Sequence, residues 1–130
     1  MNEKVNVYIE YRISRAEESL QEAEILAASG HWNTCVNRLY YSCFYSVSAL
    51  LLKHGLSSSK HSGVRSIFNN NFVKTGILSK ETAQIYNFLF ERRQEGDYED
   101  MAIFTESEVV PWVDKAKAFV DTVKVLIDRS

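Results

Sequence analysis

The stretch Trp32–His54, WNTCVNRLYYSCFYSVSALLLKH, decides how this chain folds. Within it Val36, Leu39, Tyr40, Cys43, Phe44, Val47, Leu50 and Leu51 recur at steps of three and four, which places them on one side of a helix. A second stripe, Arg38, Tyr41, Tyr45, Ser48 and Leu52, runs along another face. A helix with two such faces has neighbours on two sides and belongs at the centre of a bundle. Gly55 follows and supplies the stop.

Upstream, between Tyr8 and Leu26 and continuing to Ala27, the positions Ile9, Ile13, Ala16, Leu20, Ala23 and Ala27 share a face, while Arg15, Glu17, Glu18 and Glu22 lie elsewhere. Ser29-Gly30 closes this helix. Downstream, Ser57-Ser58-Ser59 offers an N-cap for a short helix with Val64, Ile67, Phe68 and Phe72 inward, ending at Lys74-Thr75-Gly76. Ser79 caps a fourth helix in which Ala83, Tyr86, Leu89, Phe90 and Arg93 share a face. Gly96 is expected to stop it and to leave Asp97–Phe104 as a loop.

Thr105-Glu106-Ser107-Glu108 is a capping-box pattern. Pro111 removes one interior hydrogen bond, so the last helix is either kinked there or starts later. Val113, Ala116, Val120, Val123 and Ile127 carry its stripe toward the C-terminus. The fold expected is all-α, a single antiparallel up-and-down bundle of four to five helices, with residues 1–130 forming one domain.

Composition agrees with this reading. A chain of 130 residues with 45% hydrophobic and 25% charged side chains can bury one core, and a single proline leaves little room for long irregular stretches. The formal net charge of -2 provides no global positive field, so any contact with nucleic acid must come from a local basic patch. Cys35 and Cys43 are too few for a disulfide framework or a zinc site and read as buried small hydrophobes. No apolar run reaches the roughly 18 residues of a membrane span, and Met-Asn-Glu-Lys does not open a signal peptide. A cytoplasmic location without membrane contact is expected.

Many site types are missing from the sequence. It has no Gly-rich phosphate loop, no H-E-x-x-H and no Glu-x-x-His, and His31, His54 and His61 have no carboxylate at metal spacing. No metal and no cofactor are expected. What remains is a polar set: Asn37, Arg38 and Tyr41 on the second helix, Arg92 and Arg93 on the fourth, Asp97 and Tyr98 just beyond, and Lys60-His61 at a helix start. Arg93 and Asp97 can form an ion pair at a helix end, with the tyrosines packed around it. A paired arginine with a free edge is also how phosphates are held. Lys60-His61 is either a solvated cap region or a place where a titrating histidine acts.

Taken in order, VNRLYYSCFY at 36–45, Leu50-Leu51, KHSGV at 60–64, FVKTG at 72–76 and RRQEGDY at 92–98 resemble the HEPN family, in its UPF0332 branch. The similarity runs from about Ser14 to Phe119. It implies a four- or five-helix bundle that forms homodimers and belongs to toxin–antitoxin, CRISPR-linked or stress systems, often beside a small nucleotidyltransferase. Many such proteins are metal-independent ribonucleases, whose arginine is followed after four to six residues by a histidine. Here Tyr98 stands at that spacing from Arg93.

Metal-free RNA cleavage needs a group that takes the 2′-OH proton and a cation for the phosphorane. Tyrosine, with a reference pKa of about 10, is a poor base at neutral pH. The resemblance therefore implies a nucleotide- or RNA-phosphate-binding set of Arg38, Tyr41, Lys60, His61, Arg92, Arg93 and Asp97, with Arg93 and Tyr98 as the catalytic pair of a weak or degenerate ribonuclease. The alternative is a non-catalytic dimeric interaction protein in which the same cluster is structural.

Overall fold

The computed structural model describes residues 3–98 and 103–130, with side chains throughout these ranges except at 94–98. The helices are α1 (Glu3–Ala28), α2 (Trp32–Lys53), α3 (His61–Phe68), α4 (Lys80–Tyr98) and α5 (Glu106–Arg129), and α3 runs into one π-helical turn at Asn69–Val73. The architecture is an all-α up-and-down bundle. α2 packs against α1, α3, α4 and α5, the central place its two apolar faces require.

The α1–α2 pair is the most closely packed. Small side chains on both helices allow this: Ala16, Ser19 and Ala23 of α1 and Cys35, Ser42, Cys43 and Ser46 of α2 are all buried. The Ser42 and Ser46 hydroxyls donate to the carbonyls of Leu39 and Cys43, three residues back, at 2.6 and 2.8 Å. The Cys35 thiol donates across the helix pair to the Ala23 carbonyl at 3.3 Å. Burial raises the Cys35 thiol to about 11 and the Cys43 thiol to about 12, so both are unreactive core groups at neutral pH.

The other side of α2 meets a layer of rings. Tyr40, Phe68, Tyr86 and Phe119 are fully buried, and Tyr86 stacks on both Tyr40 and Phe119. Removing one such ring costs about 3–5 kcal/mol where the cavity does not collapse. Among the described residues the hydroxyl of Tyr86 has no hydrogen-bond partner, and its pKa is raised, first by burial.

Helix ends agree with the sequence in some places and differ in others. Gly30, Gly55 and Gly76 take the left-handed conformation that ends α1, α2 and the π turn. Ser79 accepts the Thr82 backbone N–H at 3.1 Å and caps α4, as its position predicts. The capping residue of α3 is Lys60, not one of the three serines before it, because Ser58 turns back to accept the Lys60 N–H at 3.2 Å. α4 does not stop at Gly96 but runs to Tyr98. An interior glycine costs a helix only about 0.5–1 kcal/mol, too little to end one anchored against α2 by Tyr86, Leu89 and Phe90.

α5 begins at Glu106 despite Pro111, so the later start does not occur. The Thr105 N–H donates to Glu108 Oε1 at 3.2 Å, which holds the first turn. The carbonyl that Pro111 deprives of a donor belongs to exposed Ser107, where water can serve it. No described helix is long and apolar enough to cross a membrane.

Candidate functional site

One side of α2 carries Arg38, Tyr41, Phe44 and Tyr45 at half-buried positions, and three other helices bring side chains to it. α4 contributes Arg93, whose guanidinium carbon lies 4.6 Å from the Tyr40 ring centre and 5.9 Å from that of Tyr41. Helical spacing explains this placement, since Arg93 continues the buried line of Tyr86, Leu89 and Phe90. α3 contributes His61 and Arg65, and α1 contributes Arg15, which lies 5.4 Å from the Tyr45 ring centre.

The Arg38 guanidinium carbon lies over Tyr41, 4.9 Å from its ring centre. It donates to Asn37 Oδ1 at 3.1 and 2.7 Å through Nε and Nη2, and pairs with Glu22 at 3.4 Å. Asn37 therefore acts by orienting Arg38. Arg65 lies 4.0 Å from the Phe90 ring centre and meets Glu91 at 3.8 Å. Arginines and aromatic rings thus alternate along this surface, which favours both phosphate contact and base stacking.

His61 is the residue whose surroundings the sequence shows least. Its ring stacks on Phe44 with centres 4.0 Å apart, and its Nδ1 lies 2.9 Å from the Tyr40 hydroxyl oxygen. Tyr40 and Tyr41 each touch both His61 and Arg93. The His61 pKa is held below its ordinary value, first by burial and then by the positive charge of Arg93. The Tyr40 hydroxyl is raised far above its ordinary value, again chiefly by burial, although Arg93 opposes the shift.

The set named from sequence is thus partly brought together. Arg38, Tyr41, His61 and Arg93 form one cluster. Arg92 points differently, with its guanidinium 5.0 Å from the Phe88 ring centre, and Lys60 is exposed at the start of α3. The side chains of Asp97 and Tyr98 lie outside the described residues. Sequence reasoning missed Tyr40 as the partner of His61, and also missed Phe44, Arg65 and Arg15. Tyr40 and His61 are 21 residues apart on different helices, so no helical spacing could have paired them.

Another hollow, a 440 Å³ cavity between α4 and α5, is lined by Ile85, Phe88, Trp112, Lys115 and Phe119 among others, and contains none of the clustered residues. The arginine–aromatic cluster, where charge and a titratable ring converge, is the candidate site.

Residues 9–126 match the family described as HEPN domain. The chain belongs to the HEPN family. This HEPN chain is 48% identical over 128 residues to a UPF0332 protein of Thermotoga maritima, an alignment covering 98% of this chain and 96% of the relative. It is 36% identical over 123 residues to a Methanocaldococcus jannaschii protein named "Putative toxin MJ0142", covering 94% and 84% of the two chains. Its fold is shared with a crystal structure described as ST0689, an archaeal HEPN homologue, at a TM-score of 0.73 and 21% identity over 92% of this chain and 97% of that one. Toxin-like proteins are thus among the relatives of this HEPN chain.

Proposed function

We propose that this HEPN protein binds the phosphate of RNA or of a nucleotide at the arginine–aromatic cluster, as the toxin-like half of a module whose other half is a small nucleotidyltransferase. One observation carries the reading: Arg93 of α4 is held against Tyr40 and Tyr41 of α2, beside His61, at a half-buried surface that Arg38 extends. A guanidinium held in place by rings keeps its geometry without a bound anion, and less entropy is lost when a phosphate arrives. Tyr41 supplies a face for a base. Arg92 and Lys60 serve as peripheral cations. Asp97 and Tyr98 are assigned from their place in the sequence, Asp97 to orient Arg93 and Tyr98 to donate a hydrogen bond to the bound phosphate.

The likeness to a protein named as a toxin supports the module reading, and the half-exposed strip of Tyr41, Phe44 and Tyr45 supports a homodimer in which two such sites face one cleft. The test is fluorescence anisotropy with labelled nucleotides and short RNAs, comparing wild type with Arg93→Ala and checking folding by circular dichroism. Binding by wild type that is lost in the variant is the expected result. Equal, negligible binding by both folded proteins would favour a purely structural cluster in an interaction protein.

A further inference from the structure

We propose that the 440 Å³ hollow between α4 and α5 is a binding site for a small, flat aromatic acid that carries a ring N–H. The hollow is separate from the arginine–aromatic cluster, and the inference does not depend on phosphate binding there. Its volume falls within the range of small-molecule sites, roughly 300–1,000 Å³.

The shape selects a compact ligand. Ile85 and Phe119 form a buried floor, and Phe119 is braced from behind by its stack with Tyr86. Phe88, the last lining residue of α4, meets Trp112, the first of α5, edge to face with ring centres 4.9 Å apart. Phe104 supports Trp112 from outside at 5.9 Å. The Phe88–Trp112 contact bridges the two helices and closes the hollow at that end, so an extended peptide or a helix cannot run through it. A flat ring fits, lying on the apolar floor with its edge or face toward the two aromatic walls.

The charges at the rim set the polar groups of the ligand. Lys115 has Pro111, Trp112, Ala118 and Phe119 three and four residues away on its own helix, none of them acidic, and Glu81 is followed at those spacings by Gln84 and Ile85, neither of them basic. Among the described residues neither Lys115 nor Glu81 forms an ion pair. The hydroxyls beside them are already engaged: Thr122 donates to the Ala118 carbonyl at 2.9 Å, and Thr82 accepts from Ser79 at 2.8 Å. In an up-and-down bundle α4 and α5 are antiparallel, so with Phe88 level with Trp112, Lys115 stands near the level of Ile85. Glu81 is then about 6 Å further along the groove axis, four residues at 1.5 Å each. A bicyclic ring spans that separation. Its carboxylate meets the Lys115 ammonium, and its ring N–H donates to the Glu81 carboxylate.

The experiment uses the full chain labelled with nitrogen-15 and follows the indole N–H signal of Trp112, told apart from that of Trp32 by Trp32→Phe. Three probes are titrated: indole-5-carboxylate, indole-5-carboxamide, which lacks the charge, and benzofuran-5-carboxylate, which lacks the N–H. Indole-5-carboxylate should shift the Trp112 signal saturably, with an affinity of about millimolar or tighter for a ligand of this size. Each of the other two should bind about two- to fivefold more weakly, the range for a contact to an exposed charge. Lys115→Gln should lose the same factor toward the acid and nothing toward the carboxamide. Ala118→Phe, a change at an exposed lining position, should fill the hollow and abolish binding of all three in a protein that is still folded by circular dichroism. No saturable shift of Trp112 with any probe overturns the proposal. So does a carboxamide that binds wild type as tightly as the acid, or unchanged binding by Ala118→Phe. A Trp112 signal that moves with protein concentration alone overturns it as well, and gives the hollow to a second copy of the chain.

Discussion

Arg92 and Arg93 are adjacent in sequence and differ in what they touch. A step of one residue turns a helix by about 100°, which takes Arg93 to the rings of α2 and Arg92 over Phe88 of its own helix. Arg93→Ala is therefore expected to remove most anion binding, and Arg92→Ala to change it far less, since a rim charge acts mainly on association rate and salt dependence. Interchangeable effects in an RNA titration would contradict this difference in facing. His61 has its own signature. Its pKa in the folded protein is lower than in the unfolded chain, so the unfolded state binds more protons as the pH falls below the ordinary histidine range of about 6.5. Stability contributed by the neutral ring is present above that range and is lost as the pH falls through the lowered pKa of the folded protein. Thermal melts of wild type and His61→Asn across that interval should converge as the pH falls, and parallel curves would remove His61 as the cause.

The start of α3 brings His61 into position, and it depends on a glycine. A Cβ on Gly63 would collide with the Oγ and Cβ of Ser58, which folds back over the first turn. Gly63→Ala should therefore lower the melting temperature and weaken binding, although alanine is the better helix former by about 1 kcal/mol. Ser58→Gly in the same chain removes both clashing atoms and should restore much of the loss; no rescue would mean that the collision is not the cause. The sequence shows why this turn was hard to read. Three serines in a row offer three caps, and only the fold of the loop excludes them in favour of Lys60. The stripes of α1, α2, α4 and α5 were legible because each buries one continuous face, as Ile9, Ala16, Leu20 and Ala23 do in α1. Arg93 was legible on the same ground. The π turn at Asn69–Val73 was not, because its reciprocal amide contacts with Asn87, at 2.9 and 3.2 Å, join residues 18 apart. The pairing of His61 with Tyr40, 21 residues apart on different helices, is likewise a product of tertiary packing.

At the scale of the whole molecule, an acidic protein with net charge -2 must bind an anion through local field alone. Arg93 and Arg38 provide that field on one side of α2, where Glu22 beside Arg38 offsets part of it, and other acidic groups are compensated elsewhere, as with Glu17 beside Lys124 on the α1–α5 side. Each phosphate neutralised on a single strand contributes about 0.7 to the slope of log affinity against log salt, so two arginines give a slope of about -1.4 per protomer. The proposed homodimer, with two clusters in one cleft, doubles this to about -2.8 on a strand long enough to reach both. Light scattering at micromolar concentration and an RNA titration over a range of salt test the two quantities together. A dimer with the steeper slope is the expected outcome. A monomer with the shallower slope would keep the site and remove the shared cleft. A dimer with the shallower slope would place the two clusters apart, on opposite sides of the assembly. A slope near zero would mean that neither arginine meets a phosphate, since no screening by salt accompanies stacking on Tyr41 alone.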